Sequence, residues 1–523
     1  MSRTGKAAKG FVASIFQIVS QILVQLLLAP IVLKLAGRET LGAYAAVMQA
    51  LTFVSLTDIV GTWALERFLG QASALDDGGA RFRTIMTTAR TVLIFSNFVY
   101  CLVVFTFSMF TARLFHLSPP VAHQAQHALW VIGIWAVART PLAIYGNALL
   151  ALQDIAAVNL LATFMGVGRT VASLMFVLLG GGLFGLMLAG TTIEALGVVM
   201  FRIRFKKLFS NLIPSWGIPD KALLKEMVTF GGHAFFLNLG NGLVFSSGNA
   251  LAGFTKGAAV ASSFYTTQMP TMTIYNMMMR LSESATPAIN ELWGGREVER
   301  LRGALTRITR LLLVLTLPLA TGVLLFNHDL VITWVGGQQY AGSLMTASLA
   351  AFCIIVSLQR VAINYSFTFG WMRLLTTTAL IQGLANFGLG ILFARLFGLG
   401  GITLALVIVV LPQTVILWHR VGRFLDINVP TLLGGCLARA LVPLGGGAVC
   451  GLLLHRMVVI RQRHFSGLLA EAFAFILVYA ALAYPLLLFD QDRLEIKRYL
   501  RRFANRGRNV QRRLVRAVGS ASD

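Results

Sequence analysis

Apolar stretches long enough to cross a lipid bilayer recur from one end of this chain to the other, and no other feature restricts its fold as much. A hydrocarbon core of ~30 Å takes ~20 apolar residues per helix. Spans are predicted at roughly 11–33, 41–64, 91–112, 128–150, 155–180, 183–201, 229–251, 258–279, 311–333, 342–366, 374–394, 399–418, 431–455 and 465–489. Inside hydrocarbon every backbone N–H and C=O must find its partner within the protein, which admits only helices and closed barrels. The runs are continuous and show none of the alternation that a barrel strand needs. Composition agrees: 57% of the 523 residues are hydrophobic and 12% charged, more apolar surface than one soluble core could hide. The expected fold is an all-α polytopic membrane protein of about fourteen transmembrane helices. The first run, Phe11 to Leu33, is too long for a signal-peptide core and reads as a membrane helix.

The net charge of +24 is a matter of topology. Lys and Arg crowd the N-terminus, the segments 65–90, 202–228 and 280–310, and the tail after Asp490, whereas the alternate loops hold few. The loop with Arg456, Arg461 and Arg463 is the one local exception. This asymmetry predicts a bacterial inner-membrane protein with both termini cytoplasmic. Charges that border membrane helices speak against a nucleic-acid partner, and those in 493–516 suit anionic lipid headgroups. The four cysteines, Cys101, Cys353, Cys436 and Cys450, lie far apart in apolar stretches and form no metal or redox motif. His123 and His127 lack supporting carboxylates or thiols, so no metal and no cofactor is expected.

The chain resembles itself when shifted by about 216 residues. Leu35-Ala36-Gly37 matches Leu251-Ala252-Gly253, Gly78-Gly79 matches Gly294-Gly295, and Gly182 and Gly185 match Gly398 and Gly401. Each pair holds the same place in the helix order. Two six-helix lobes are therefore expected, 1–202 and 229–420, with a cytoplasmic linker 203–228, two appended helices in 421–489 and a basic tail 490–523. Six is even, so both lobes enter the membrane in the same sense. That makes them parallel repeats about a pseudo-two-fold along the membrane normal, a transporter plan with the substrate between halves.

Four segments carry a family resemblance: APIVLKLAGRETLGAYA after the first span, SESATPAINELWGGREVERL after the eighth, HDLVITWVGGQQYAGS after the ninth and LFGLGGITLAL before the twelfth. With the duplication, they resemble the multidrug/oligosaccharidyl-lipid/polysaccharide exporter superfamily, and most of all its polysaccharide (O-antigen-type) lipid-linked oligosaccharide flippases. The resemblance implies two six-helix bundles in a V that opens alternately to each side, with a lateral opening between the first and eighth helices. It implies a flippase for polyprenyl-pyrophosphate-linked oligosaccharide, not an enzyme. Membrane lipids, a polysaccharide polymerase and export proteins are the implied partners. An ion-coupled multidrug antiporter of the same fold is the alternative, and a membrane glycosyltransferase or polymerase a more distant one.

Ionisable and polar residues at bilayer depth are costly and commonly face a cavity. Gln17, Gln21 and Gln25 fall on one face of the first span, and His233 and Asn241 occupy the matching span of the second lobe. Cavity lining and interhelical hydrogen bonding both account for such a stripe. Arg139 is central in the fourth span, and Arg169 in the fifth on a face with Asn159. Asp58 and Glu194 are the carboxylates, candidates for ion pairing or coupling. The shifted positions of Arg139, Arg169, Asp58 and Glu194 are Ile355, Ala385, Ile274 and Val410, so the scaffold is duplicated and the charge is not. Packing needs would act on both lobes alike. The asymmetry therefore favours function in the first lobe, and structural ion pairs are the other reading. Arginine suits a pyrophosphate because its guanidinium stays charged and binds phosphate in a bidentate fashion. Arg169 and Glu194 each stand about twelve residues, ~18 Å, from the turn at Gly181-Gly182, and on depth alone they are expected to pair.

Overall fold

The computed structural model describes residues 3–54, 61–73, 77–459 and 465–486. Asp58 and the tail lie outside the described residues, as do the side chains of Gln17, Gln21, Gln25 and His233. The described chain is helical throughout: α1 (Arg3–Val54), α2 (Gly61–Ser73), α3 (Ala80–Phe115), α4 (Pro119–Ala151), α5 (Ile155–Leu178), α6 (Gly182–Leu208), α7 (Lys221–Phe245), α8 (Gly248–Lys256), α9 (Ala258–Ser284), α10 (Thr286–Gly294), α11 (Val298–Val335), α12 (Ser343–Thr368), α13 (Met372–Phe397), α14 (Leu399–Phe424), α15 (Val429–Val459) and α16 (Phe465–Leu486). Ten of these are long and apolar enough to cross a membrane, α3 to α6 and α11 to α16. α1 holds the first predicted span and the start of the second, which part at a kink at Gly37. α9 is less apolar than these ten for a physical reason. Ser262, Ser263, Thr266, Thr267, Gln268 and Thr271 are all buried, so this helix faces other helices, where hydroxyls and amides act as interhelical glue.

The duplication is visible in which helices touch. In the first half α3 packs on α4, α4 on α6, α5 on α6 and α1 on α5. In the second, α11 packs on α12, α12 on α14, α13 on α14 and α7 on α13. The constant shift is not kept. Gly37 (φ 84°, ψ 172°) finds its conformational counterpart in Gly257 (φ 86°, ψ 162°), not in Gly253. Both break a helix where only glycine is comfortable, and the register there is 220 residues. Gly253 lies within α8 with no room for a side chain, since a Cβ would stand 2.8 Å from that of Ala46. At the other junction the expected register holds, and Gly182 and Gly398 both take positive φ.

Two features tie the halves together. At the end of the bundle that holds Gly37, α1 meets α9 so closely that a Cβ on Gly42 would lie 1.7 Å from the Ala258 carbonyl oxygen. Beside this crossing the Arg38 guanidinium donates to the Gln338 side-chain oxygen (3.2 Å), the Gln338 carbonyl (3.1 Å) and the Ser263 hydroxyl (3.2 Å). Its neighbour Glu39 turns back to its own half and accepts from the Ser118 N–H and hydroxyl. The Trp334 indole donates to the Leu26 carbonyl at 2.7 Å. At the opposite end, the segment expected as a linker, 203–228, is largely helical and strapped to α3. Arg83 donates to the Asn211 carbonyl at 2.8 Å, Thr87 and Arg90 donate to that of Ser215, and Arg90 lies over the Trp216 ring. Asp220 caps α7, and the first turns of α7 bury Leu223 and Met227 in the core of the first half, with Leu65, Phe82 and Leu149. α15 and α16 pack on α11, where the Tyr479 hydroxyl donates to the Val314 carbonyl at 2.8 Å.

Candidate functional site

Five helices of the first half enclose a cavity of about 480 Å³, walled by the part of α1 after its kink and by α3, α4, α5 and α6. Such a volume suits a small-molecule or headgroup site, which commonly measures ~300–1,000 Å³. Glycines on α6 create it. A Cβ on Gly197 would stand 2.2 Å from the Met165 sulfur, and one on Gly190 3.1 Å from the Arg169 guanidinium. Small residues thus let α5 approach α6 while leaving room for a long cationic side chain.

The charges gather here. Arg139 from α4 and Glu194 from α6 form an ion pair, each side chain about a third exposed. Arg169 from α5 lines the same wall, is exposed, and has no ion pair or side-chain hydrogen bond among the described residues. The expected Arg169–Glu194 pair is therefore replaced by Arg139–Glu194. Depth was a sound guide, since Arg169 lies against Gly190, one turn from Glu194. Depth did not fix the partner, because α4 and α5 both pack on α6 and it is the Arg139 guanidinium that reaches the carboxylate. Among the described residues, two cations and one carboxylate line the cavity, one positive charge in excess.

The second half is built otherwise at the equivalent place. Ile355 and Val410, the shifted positions of Arg139 and Glu194, sit in one apolar cluster with Phe352, Val356, Leu406 and Tyr275. The pair is thus no requirement of the helix packing, because the same helix pairing closes there on hydrocarbon.

Of the other residues singled out in the sequence, Asn159 lies on α5 ten residues before Arg169 and does not line the cavity. Asn241 is on α7 in the other half, half-buried and also away from it. Thr52, Tyr100, Trp135 and Thr191 do line it, and sequence reasoning passed them over. Trp135 had a signal, being one helical turn before Arg139 on the same face. Tyr100 had none. Among the described residues no cluster of three or more His, Cys, Asp or Glu forms a metal site.

The cavity lies within the segment, residues 31–345, that matches a protein-family model described as polysaccharide biosynthesis protein. The chain belongs to this family. None of the curated proteins matches it. Among solved structures, it is similar to the lipid II flippase MurJ in its inward closed conformation, with a TM-score of 0.66 and 14% identity over 91% of this chain and 97% of that one. An inward-facing multidrug resistance MATE family transporter of the MOP superfamily matches with a TM-score of 0.60 and 15% identity, over 78% and 94% of the two chains. The outward-facing form of such a transporter matches at 0.56 and 14%, over 80% and 96%. At these identities the likeness is one of fold. The fold expected from the four segments is thus the one found, and ten of the described helices are long and apolar enough to cross a membrane.

Proposed function

We propose that this chain is a flippase that carries a polyprenyl-pyrophosphate-linked oligosaccharide across the bacterial inner membrane. Two lobes, 1–202 and 229–420, would open alternately to each side, with both termini in the cytoplasm. The observation that carries the reading is Arg169, a guanidinium unpaired among the described residues, in a cavity whose described lining is positively charged and which lies in the segment that matches the family. A phosphoryl charge ~4 Å from it gains ~4 kcal/mol at an effective dielectric constant of ~20. The isoprenoid tail stays in the bilayer, and the glutamine stripe Gln17, Gln21 and Gln25 is proposed to meet the sugars. Alternating access needs no covalent step, only two arrangements whose balance the substrate shifts. A polymerase and export proteins remain the proposed partners. The antiporter alternative asks for a carboxylate free to receive an organic cation; Glu194 is committed to Arg139, and Asp58, the other candidate, lies outside the described residues.

The test is a strain lacking this gene, complemented with the wild type or with Arg169→Ala. The variant is expected to reach the membrane at normal levels, cut surface polysaccharide at least tenfold and leave the lipid-linked precursor on the cytoplasmic side. Normal export by Arg169→Ala would dispose of the reading.

A further inference from the structure

We propose that Trp135 is a ligand-binding residue. Its indole N–H is the third donor of an oxyanion site shared with Arg169 and Arg139, and the group it takes is the phosphoryl end of the transported lipid. The inference rests on the flippase reading and adds to it a residue and a chemical selectivity.

The starting point is an unmet hydrogen bond. Trp135 lines the cavity, and its Nε1 is buried without a partner among the described residues. Three other indoles of this chain are satisfied: Trp130 donates to the Ser108 hydroxyl at 3.0 Å, Trp334 to the Leu26 carbonyl at 2.7 Å and Trp418 to the Leu358 carbonyl at 2.9 Å. A buried donor left unpaired costs free energy that replacement by an apolar group of the same shape would spare. A tryptophan kept under that penalty has reason to meet its acceptor from outside the protein.

No acceptor of the cavity wall reaches the indole N–H among the described residues. Glu194, the one carboxylate of the described lining, is held by Arg139. The Thr191 hydroxyl donates to the Leu188 carbonyl and that of Thr52 to the Met48 carbonyl, and neither oxygen is placed to accept from the indole. Much of the remaining wall is Met, Ile, Leu, Ala and Gly. The donors left for a ligand stand on more than one wall: Trp135, with Arg139 one turn further along α4, Arg169 on α5 and the Tyr100 hydroxyl on α3. A phosphoryl group carries several oxygens at wide angles and can reach more than one wall at once, whereas a halide offers a single point. An organic cation would leave the N–H unmet and face two arginines. An indole N–H donates and cannot accept, so this residue selects for an acceptor-rich anion.

The experiment uses the purified full-length protein in lipid nanodiscs, with inorganic pyrophosphate as the probe and farnesyl pyrophosphate as its lipid-bearing counterpart. Binding by calorimetry and thermal melting without ligand are measured for the wild type, Trp135→Phe and Arg169→Gln. Phe keeps an aromatic ring and removes the N–H. Trp135→Phe is expected to melt at or above the wild-type temperature and to bind both probes roughly tenfold or more weakly, the loss of one hydrogen bond to a charged group. Benzothienylalanine at position 135 replaces the N–H by sulfur at nearly constant shape, and the same loss is expected there if the Phe variant folds poorly. Unchanged affinity in these variants, with Arg169→Gln still weakened, would overturn the role of Trp135 and leave the flippase reading standing. A wild-type protein that binds neither probe would overturn both.

Discussion

Removing Arg38 is expected to loosen the bundle at the end where its halves are tied. The guanidinium makes three hydrogen bonds of 3.1–3.2 Å to Gln338 and Ser263, all across the junction between the halves. A hydrogen bond to a charged group contributes about 1.5–3 kcal/mol when buried, and the partial exposure of Arg38 brings the sum of the three toward the lower figure. About 1.5 kcal/mol is roughly a tenfold change in the ratio of closed to open forms. Spin labels at Pro120 in the first half and Ser343 in the second, both exposed near this end, report the separation by pulsed electron resonance. Arg38→Ala should add a longer distance to the distribution and raise its share about tenfold. Gly42→Ala should act more strongly. Its Cβ would begin 1.7 Å from the Ala258 oxygen, and ordinary contact starts near 3.4 Å, so α1 and α9 must part by about 1.7 Å. Overpacking of this kind costs ~1–3 kcal/mol in the closed form. Distance distributions that match the wild type in both variants, with the protein folded and in the membrane, would refute the argument.

Arg139→Ala is expected to abolish export, with Arg139→Lys restoring it in part. Because Arg139→Ala leaves the Glu194 carboxylate without its partner, a second change, Glu194→Ala, should restore protein levels but not export, a double-mutant coupling read by immunoblot and polysaccharide assay. Gly190→Val should displace the Arg169 guanidinium, which lies 3.1 Å from where the first added carbon would be, and weaken pyrophosphate binding as much as Arg169→Gln does; equal binding in Gly190→Val and the wild type would show that the arginine does not need that berth. The backbone N–H groups of Arg81, Gly79 and Ala80 hold the exposed Asp77 carboxyl below its ordinary range. Its contribution to the start of α3 is therefore present above the unfolded-state value and lost as pH falls through the lowered folded one, and Asp77→Asn should speed hydrogen exchange at the amides of Gly79 and Arg81 at neutral pH.

What the chain is made for at the level of fold was legible in its pattern. Twenty-residue apolar runs leave the backbone no partner but itself in hydrocarbon, so the all-helical fold follows from order along the chain. The location of the charge was legible as well: Arg139, Arg169 and Glu194 stood out because their counterparts, Ile355, Ala385 and Val410, are apolar. Which of the two arginines holds Glu194 was not. Sequence supplies depth, through the residues counted from a turn, but the rotation of α4, α5 and α6 about their axes is set by packing between them, chiefly where Gly190 and Gly197 admit a neighbour. The same holds for the repeat. Its spacing of 216 is real at Gly182 and Gly398, yet the kink falls at Gly257 because close packing against Ala46 and Phe115 occupies Gly253. Tyr100 and Thr52 entered the cavity only when five helices closed around it, since no periodicity marks a residue whose neighbours come from elsewhere in the chain.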